Sequence, residues 1–324
     1  MKAESRILIL SVVLLVVSLL LSLLFGSVNL SPSELLRGAL KGPKDTEGFI
    51  FYYSRLPRTV AALFSGFALA LSGAILQSVL SNSLAAPGII GVNSGAGLLV
   101  TVSLVLGALS GWTISLSAFL GALLSSVLIL MLSRKIRASR STVLLSGVSL
   151  NYIFKALSDI LSVLFPKEAS VSGDFKVGGF SSLSLVRLYP AVAVIALAAI
   201  VAFTLSEELE VLSMGEDEAK ALGMNTGLMR ALFVVLSSLL AGAAVSFSGL
   251  LGFVGLLVPN GVRRILKGER RFYLPLSAIS GAIFVTLADT FSRLLFQPYE
   301  VPVGIIVSLI GGPVFLYMVI RGRR

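Results

Sequence analysis

About ten hydrophobic windows of near-spanning length, several without a single charged residue, constrain this chain more than any other feature. They fall at 6–26, 58–81, 88–108, 112–133, 142–165, 186–205, 228–249, 251–266, 272–296 and 302–320. About 20 apolar residues in a helix cross a hydrocarbon core of about 30 Å with every backbone group bonded inside the segment. Alternation over about 10 residues per crossing, the pattern of a transmembrane barrel, is absent. The expected fold class is therefore all-α: a polytopic integral membrane protein of about ten spans in one domain, 1–324, with the eighth window the shortest. Composition agrees, since only 13% of the 324 residues are charged where soluble domains carry roughly 25%.

A net charge of +10 could suggest nucleic acid, but the basic residues sit mainly in short loops between windows, where they encode orientation. Placing both termini in the cytoplasm puts sixteen lysines and arginines inside and eight outside, as the positive-inside rule requires. The partner implied is the lipid bilayer and not nucleic acid. The first window follows Lys2 and Arg6 and resembles a secretion signal, yet no small-residue cleavage site follows it. It is expected to remain as a helix. The chain has no cysteine and no histidine, which removes disulfides, thiolate metal sites and Ser-His or Cys-His catalysis.

One polar stretch lies between two long windows: residues 206–225, SEELEVLSMGEDEAKALGMN. Its six carboxylates (Glu207, Glu208, Glu210, Glu216, Asp217, Glu218) exclude it from lipid. From Glu216 to Gly223 it has the marks of a short helix, with acids in the first turn and a glycine to end it. Its apolar residues, Leu209, Val211, Leu212, Ala219, Ala221, Leu222 and Met224, exceed what a solvated connection needs. The orientation places this island, 206–226, in the cytoplasm, as a handle that another protein can grip.

Two segments, 27–54 and 166–185, are expected outside. The first holds Ser31-Pro32-Ser33-Glu34, a helix start with Ser31 as cap, and the second, rich in Gly and Ser, is expected to be irregular. Within the spans, Lys155 and Asp159, and likewise Asp289 and Arg293, stand four residues apart and can neutralise one another on one helix face. The alternative is an ion-coupled secondary transporter with a proton or sodium site at Asp289 or Asp159. Arg55, Arg58 and Arg293 fall at the outer ends of spans, where a guanidinium can simply anchor the helix at the interface. Gly-Lys occurs nowhere in the sequence, so a phosphate-binding loop of the G-x-x-x-x-G-K type is impossible. The chain is not expected to be an enzyme, and any ATP that drives it is hydrolysed elsewhere.

Several ordered motifs bear a family likeness. They are the LSMGEDEAKALGMN of the island, Arg55-Leu-Pro-Arg-Thr59, Leu71-Ser-Gly-Ala-Ile-Leu-Gln77, Asn82-Ser-Leu-Ala-Ala-Pro-Gly88, Gly91-Val-Asn-Ser-Gly-Ala96 and Leu145-Ser-Gly-Val148. Further on come Gly252-Phe-Val-Gly-Leu-Leu-Val-Pro259, Leu274-Pro-Leu-Ser277, Ala288-Asp-Thr290, Val301-Pro-Val-Gly304 and Gly311-Gly-Pro-Val-Phe-Leu-Tyr317. From about residue 30 onward the chain resembles the FecCD family, permease subunits of ATP-driven importers for iron-siderophore, haem and cobalamin. The chain departs from the family pattern at two places: Asn260 stands where histidine is usual, and Asn82-Ser-Leu-Ala-Ala-Pro87, with Ala86, where the family usually reads Asn-Pro-Leu-Ala-Asp-Pro.

That resemblance implies a type II ABC importer permease fold, a homodimer, two separate ATP-binding-cassette ATPase subunits, an extracytoplasmic substrate-binding protein and alternating access. It implies a bacterial or archaeal cytoplasmic (inner) membrane, and no cofactor in this chain, with ATP and Mg in the partner ATPase. ATPase coupling would fall to Leu212, Ser213, Met214, Gly215, Glu216, Asp217, Glu218, Ala219, Leu222 and Gly223. By the same likeness Arg55, Arg58 and Arg293 would pair with glutamates of the binding protein, and the fifth span would line the pathway. Its gate would involve Ser141 and Thr142, with Ser146 and Ser149 further in; one of the family's small gate positions is Arg140 here. The lack of His and Cys favours a chelated or encapsulated metal over a bare ion passed between ligands.

Overall fold

The computed structural model describes residues 3–26, 30–135, 140–181, 183–266, 271–295, 297 and 299–321. Among them, Lys135, Arg140, Ser141 and a few others are placed in helices without a described side chain. The basic residues Lys2, Arg137, Lys267, Arg270, Arg323 and Arg324, counted above for orientation, lie outside the described residues.

Fifteen helices follow one another among the described residues, and no strand does: α1 Ala3–Leu24, α2 Pro32–Lys41, α3 Thr46–Ile50, α4 Leu56–Val79, α5 Val92–Val105, α6 Gly111–Lys135, α7 Arg140–Leu164 and α8 Pro166–Val177. Then come α9 Leu185–Thr204, α10 Ser206–Met214, α11 Glu216–Ala221, α12 Thr226–Ser248, α13 Val254–Leu266, α14 Tyr273–Leu294 and α15 Val303–Arg321. A π-helical turn, Phe51–Arg55, joins α3 to α4. Each of the ten windows holds a helix. Seven helical stretches are long and apolar enough to cross a membrane, whereas α5 and the apolar part of α15 (Val303–Met318) are shorter.

Helix α4 is the centre of the bundle. Its rod, Thr46–Val79, has 78% of its apolar window buried against 17% for the span of α1 and 22% for that of α7, and it packs on α14, α12 and α13. The reason lies in its small residues, because helices in lipid gain by close van der Waals contact rather than by hiding apolar surface from water. A Cβ added to Gly73 would stand 1.8 Å from the carbonyl oxygen of Gly255, and one on Gly66 2.1 Å from that of Gly281. The backbones of α13 and α14 occupy those places.

Two windows are interrupted where the chain leaves helical form inside the bundle. The third becomes helical only at Val92, after a turn at 80–91, and the eighth only at Val254, so that α13 has 13 residues and spans about 20 Å. Irregular backbone at such depth persists only where protein groups satisfy it. Asn151 Nδ2 on α7 donates to the carbonyls of Gly88 and Ile89, both at 3.0 Å, and Asn260 Nδ2 on α13 donates to that of Ser83 at 2.7 Å. Leu250 N donates to Phe175 O at 3.0 Å, and Gly179 N to Ser248 O at 2.8 Å.

One expectation is corrected. Residues 166–177 are not irregular but form α8, with Pro166 at its start, Glu168 in the first turn and Lys176 in the last, an order that suits both the proline and the helix dipole. Ser31 caps α2 as expected: its Oγ accepts from Glu34 N, and Glu34 Oε2 accepts from Ser31 N at 2.7 Å.

Candidate functional site: an acidic island and an ion cluster at opposite ends of α4

Segment 206–226 folds into α10 and α11, which meet at Gly215. The expected helix from Glu216 is present, and it stops where the glycine was expected to stop it. Gly223 takes φ +81°, its N–H donates to Lys220 O at 2.9 Å, and Met224 N donates to Ala219 O at 3.0 Å. Side chains divide the island into two faces. Leu209, Leu212 and Ala219 are buried and seat it on the bundle, where α10 packs on α4 and α12. Met214 and Leu222 are exposed by 56% and 69%, beside exposed Asp217, Glu218 and Gly223. Ser213 Oγ turns back to Glu210 O at 2.7 Å. An apolar and acidic rim is thus held by a rigid inner face.

Glu216 belongs to the inner fastening. Its carboxylate takes a 2.7 Å ion pair from Arg230 of α12 and a 3.0 Å one from Lys220. The hydrogen bond from Arg230, followed by that from Lys220, lowers its pKa to about 2. A carboxyl with a lowered pKa stabilises the folded form above its ordinary pKa near 4.5 and loses that effect as pH falls towards 2. Hydrogen exchange of the α11 amides should accordingly rise across that interval, and Glu216→Gln should give the faster exchange already at neutral pH.

A cavity of about 750 Å³ opens beside α10, between the end of α4 and the start of α14. On its wall Arg263 donates to the Tyr273 hydroxyl at 3.2 Å, and that hydroxyl donates to Gln77 Oε1 at 3.2 Å. Gln77 Nε2 donates in turn to the carbonyls of Gly255 and Leu256. Through this chain the island end of α4 is tied to α13 and α14.

At the opposite end of α4 stands the ion cluster. Arg58 Nε donates to both oxygens of Asp289, at 3.0 and 3.1 Å, and its Nη1 bonds to Glu300. Arg293 Nε pairs with Asp289 Oδ2 at 3.2 Å, and its Nη2 donates to Ser22 Oγ of α1 at 2.9 Å. Arg55 donates to Phe25 O at 3.0 Å. The cluster pins α1, α4, α14 and the segment before α15. The expected pairing of Asp289 with Arg293 is present, with Arg58 as a second holder. Asp289 is thus a fully buried carboxylate held by two guanidiniums.

The docking expectation for Arg55, Arg58 and Arg293 is altered by the same geometry. Expected to pair with glutamates of a binding protein, the three are only 2%, 8% and 1% exposed in this chain. Each turns inward because acceptors from distant parts of the chain reach it: Phe25 O, Asp289 with Glu300, and Ser22. Glu300, absent from the sequence-based site, is the group at the surface edge of this cluster, its side chain 34% exposed.

Helix α7 is exposed over a broad arc, and one stripe of it is Leu145, Val148, Tyr152, Lys155 and Asp159, with Ile153, Leu157 and Ile160 exposed beside it. Lys155 and Asp159 pair at 3.2 Å as expected. The four gate candidates do not cluster on that stripe. Thr142 and Ser146 are half-buried, Ser149 is exposed with its Oγ donating to Leu145 O at 3.1 Å, and the side chain of Ser141 lies outside those described.

This geometry has known counterparts. The model of the FecCD transport family matches residues 14–321. The chain belongs to the FecCD transport family. Among curated relatives, the Fe(3+)-citrate import system permease protein YfmE of Bacillus subtilis is 34% identical, covering 96% of this chain and 93% of that protein. The vitamin B12 import system permease protein BtuC of Klebsiella pneumoniae is 36% identical over 96% and 92%, and the hemin transport system permease protein HmuU of Yersinia pestis 33% over 94% and 94%. A solved structure of a metal-chelate type ABC transporter in an inward-facing conformation superposes with a TM-score of 0.88 at 30% identity, covering 98% of this chain and 99% of that one.

Within this FecCD member, the two departures from the family pattern acquire a structural account. Asn260 spends both amide hydrogens on carbonyls, those of Ser83 and of Leu256, at 2.7 and 2.8 Å, and so stitches the 80–91 turn to α13. Ala86 lines an apolar cavity of about 230 Å³ with Phe253 and Phe315. Sequence reasoning missed Asn151 and Glu300. The one available signal for Asn151 was that it is the single amide side chain in the fifth window; for Glu300 it was its place directly before Val301-Pro302.

Proposed function

We propose that this chain is the membrane-spanning permease subunit of an ATP-binding-cassette importer that takes up a metal chelate. Two copies form the pathway, and two separate ATPase subunits, which carry the ATP and Mg, grip the islands from the cytoplasm. A substrate-binding protein delivers the chelate to the opposite end, and transport proceeds by alternating access. The observation that carries this reading is the two-faced island: an exposed rim of Met214, Leu222, Asp217 and Glu218 on a face seated against α4 and α12. A rim held this firmly passes a push from its partner into the bundle, whereas a solvated loop would absorb it. The relatives named for import of ferric citrate, vitamin B12 and haem supply the substrate class.

At the ion-cluster end, Arg58 is the arginine that a carboxylate of the binding protein can reach, by exchange with Glu300. Charge-assisted Arg–carboxylate bonds give orientation as well as attraction. Reconstitution in proteoliposomes with the cognate ATPase and binding protein tests the whole reading. Chelate uptake should require all three components; uptake by the permease alone, driven by an ion gradient, would overturn it. Affinity for the binding protein should rise about tenfold in Glu300→Gln, which removes the internal competitor, and fall in Arg58→Glu. Equal affinities at low salt would refute the exchange.

A further inference from the structure

We propose that Lys155, held by Asp159 when the pathway is empty, contacts the substrate and selects an anionic, carboxylate-bearing metal chelate. This rests on the permease reading above and assigns its substrate class. Lys155 and Asp159 lie within the membrane-spanning stretch Thr142–Leu164, with Lys155 two residues past its midpoint. Their side chains are 71% and 58% exposed. Exposure to lipid at that depth is costly for both charges even when they are paired, so intramembrane ionisable groups face a bundle interior or a water-filled path.

The helix cannot roll to hide the pair. One turn before Lys155, at the buried edge of the same side of α7, Asn151 donates to the carbonyls of Gly88 and Ile89 and accepts from Ser94 Oγ, which fixes the rotation of α7 against the 80–91 turn. The outward stripe of Leu145, Val148, Tyr152, Lys155 and Asp159 recurs at the 3.5-residue spacing of a single helix face. In the dimeric permease that stripe is therefore lined by water along the pathway.

Its chemistry is that of a donor surface. An ammonium has three hydrogens to donate, and Lys155 makes a single 3.2 Å bond, to Asp159. One turn earlier Tyr152 is 72% exposed, and its hydroxyl has no partner among the described residues. A carboxylate on the chelate can take the ammonium from Asp159 with the tyrosine beside it, so that Lys155 is never left uncompensated. Ferric citrate and the propionates of haem share that chemistry, whereas cobalamin offers no ionised carboxylate.

Two measurements on the complete importer test this. The chain has no cysteine, so Lys155→Cys creates a single thiol. A charged, membrane-impermeant methanethiosulfonate should modify it, and saturating anionic chelate should protect it; no reaction would overturn the inference. Uptake of ferric citrate, haem and cobalamin is then compared. For whichever carboxylate chelate the wild type moves, Lys155→Gln should raise KM about tenfold, as expected for losing one hydrogen bond to a charged group, and Lys155→Arg should recover most of it. Wild-type uptake of cobalamin alone, or an unchanged KM in Lys155→Gln, refutes the assignment and leaves the permease reading standing. Wild-type uptake of none of the three refutes the assignment, while the permease reading stands or falls on the reconstitution with ATPase and binding protein described above.

Discussion

Asp289→Ala should lower the stability of the purified protein by about 3–5 kcal/mol, the cost of removing one partner from a buried ion pair. Asp289 is fully buried and is the carboxylate shared by Arg58 and Arg293, themselves 8% and 1% exposed. Without it, Arg293 retains its bonds to Ser22 and to the backbone, and Arg58 retains, among the described residues, its bond to Glu300. Two cations would then face each other where water cannot reach. Asp289→Asn should cost less, since its amide oxygen still accepts a hydrogen bond. Removing a charge together with the carboxylate, as in Asp289→Ala with Arg293→Met, should recover part of the loss, because neighbouring sites do not add. Thermal unfolding in detergent measures all three. A shift for Asp289→Ala no larger than that of a surface substitution would show that the cluster does not hold α1, α4 and α14 together.

The second large effect concerns activity rather than stability. Met214→Glu with Leu222→Glu should abolish ATP-driven uptake and co-purification of the ATPase, while leaving the unfolding temperature of the permease unchanged. Both side chains are more than half exposed, so the folded chain loses almost no packing when they change. An apolar contact to a partner is lost outright, because a desolvated carboxylate without a partner costs more than the contact gains. Leu212→Ala gives the contrast. That leucine is fully buried under α10, and its truncation should destabilise by about 2–5 kcal/mol. Uptake that survives the double glutamate variant would mean that the partner grips another surface.

Much of the architecture could be read before any coordinates. Ten windows, the helix from Glu216 and its stop at Gly223, the cap at Ser31, and the pairs Lys155–Asp159 and Asp289–Arg293 all depend on residues within about four positions of one another, where periodicity and capping chemistry act. The helix at 166–177 was missed although it too is local. Its Gly and Ser content outweighed the proline, acid and base that mark its ends.

Everything else in the site depends on pairs that are far apart in the chain. Arg58 meets Glu300 across 242 positions, Arg293 meets Ser22 across 271, Asn260 meets Ser83 across 177 and Asn151 meets Gly88 across 63. No local pattern encodes such contacts. By itself the sequence determined that this chain lives in a bilayer, that it has no G-x-x-x-x-G-K phosphate-binding loop, and that 206–226 lies outside the lipid, because hydropathy, missing residue pairs and charge act over short windows. Only the tertiary structure decided that the three arginines turn inward, that Asp289 is occupied, and that the island has a buried face and a free one. Those outcomes depend on which acceptors and which small-residue faces the packed helices bring within reach.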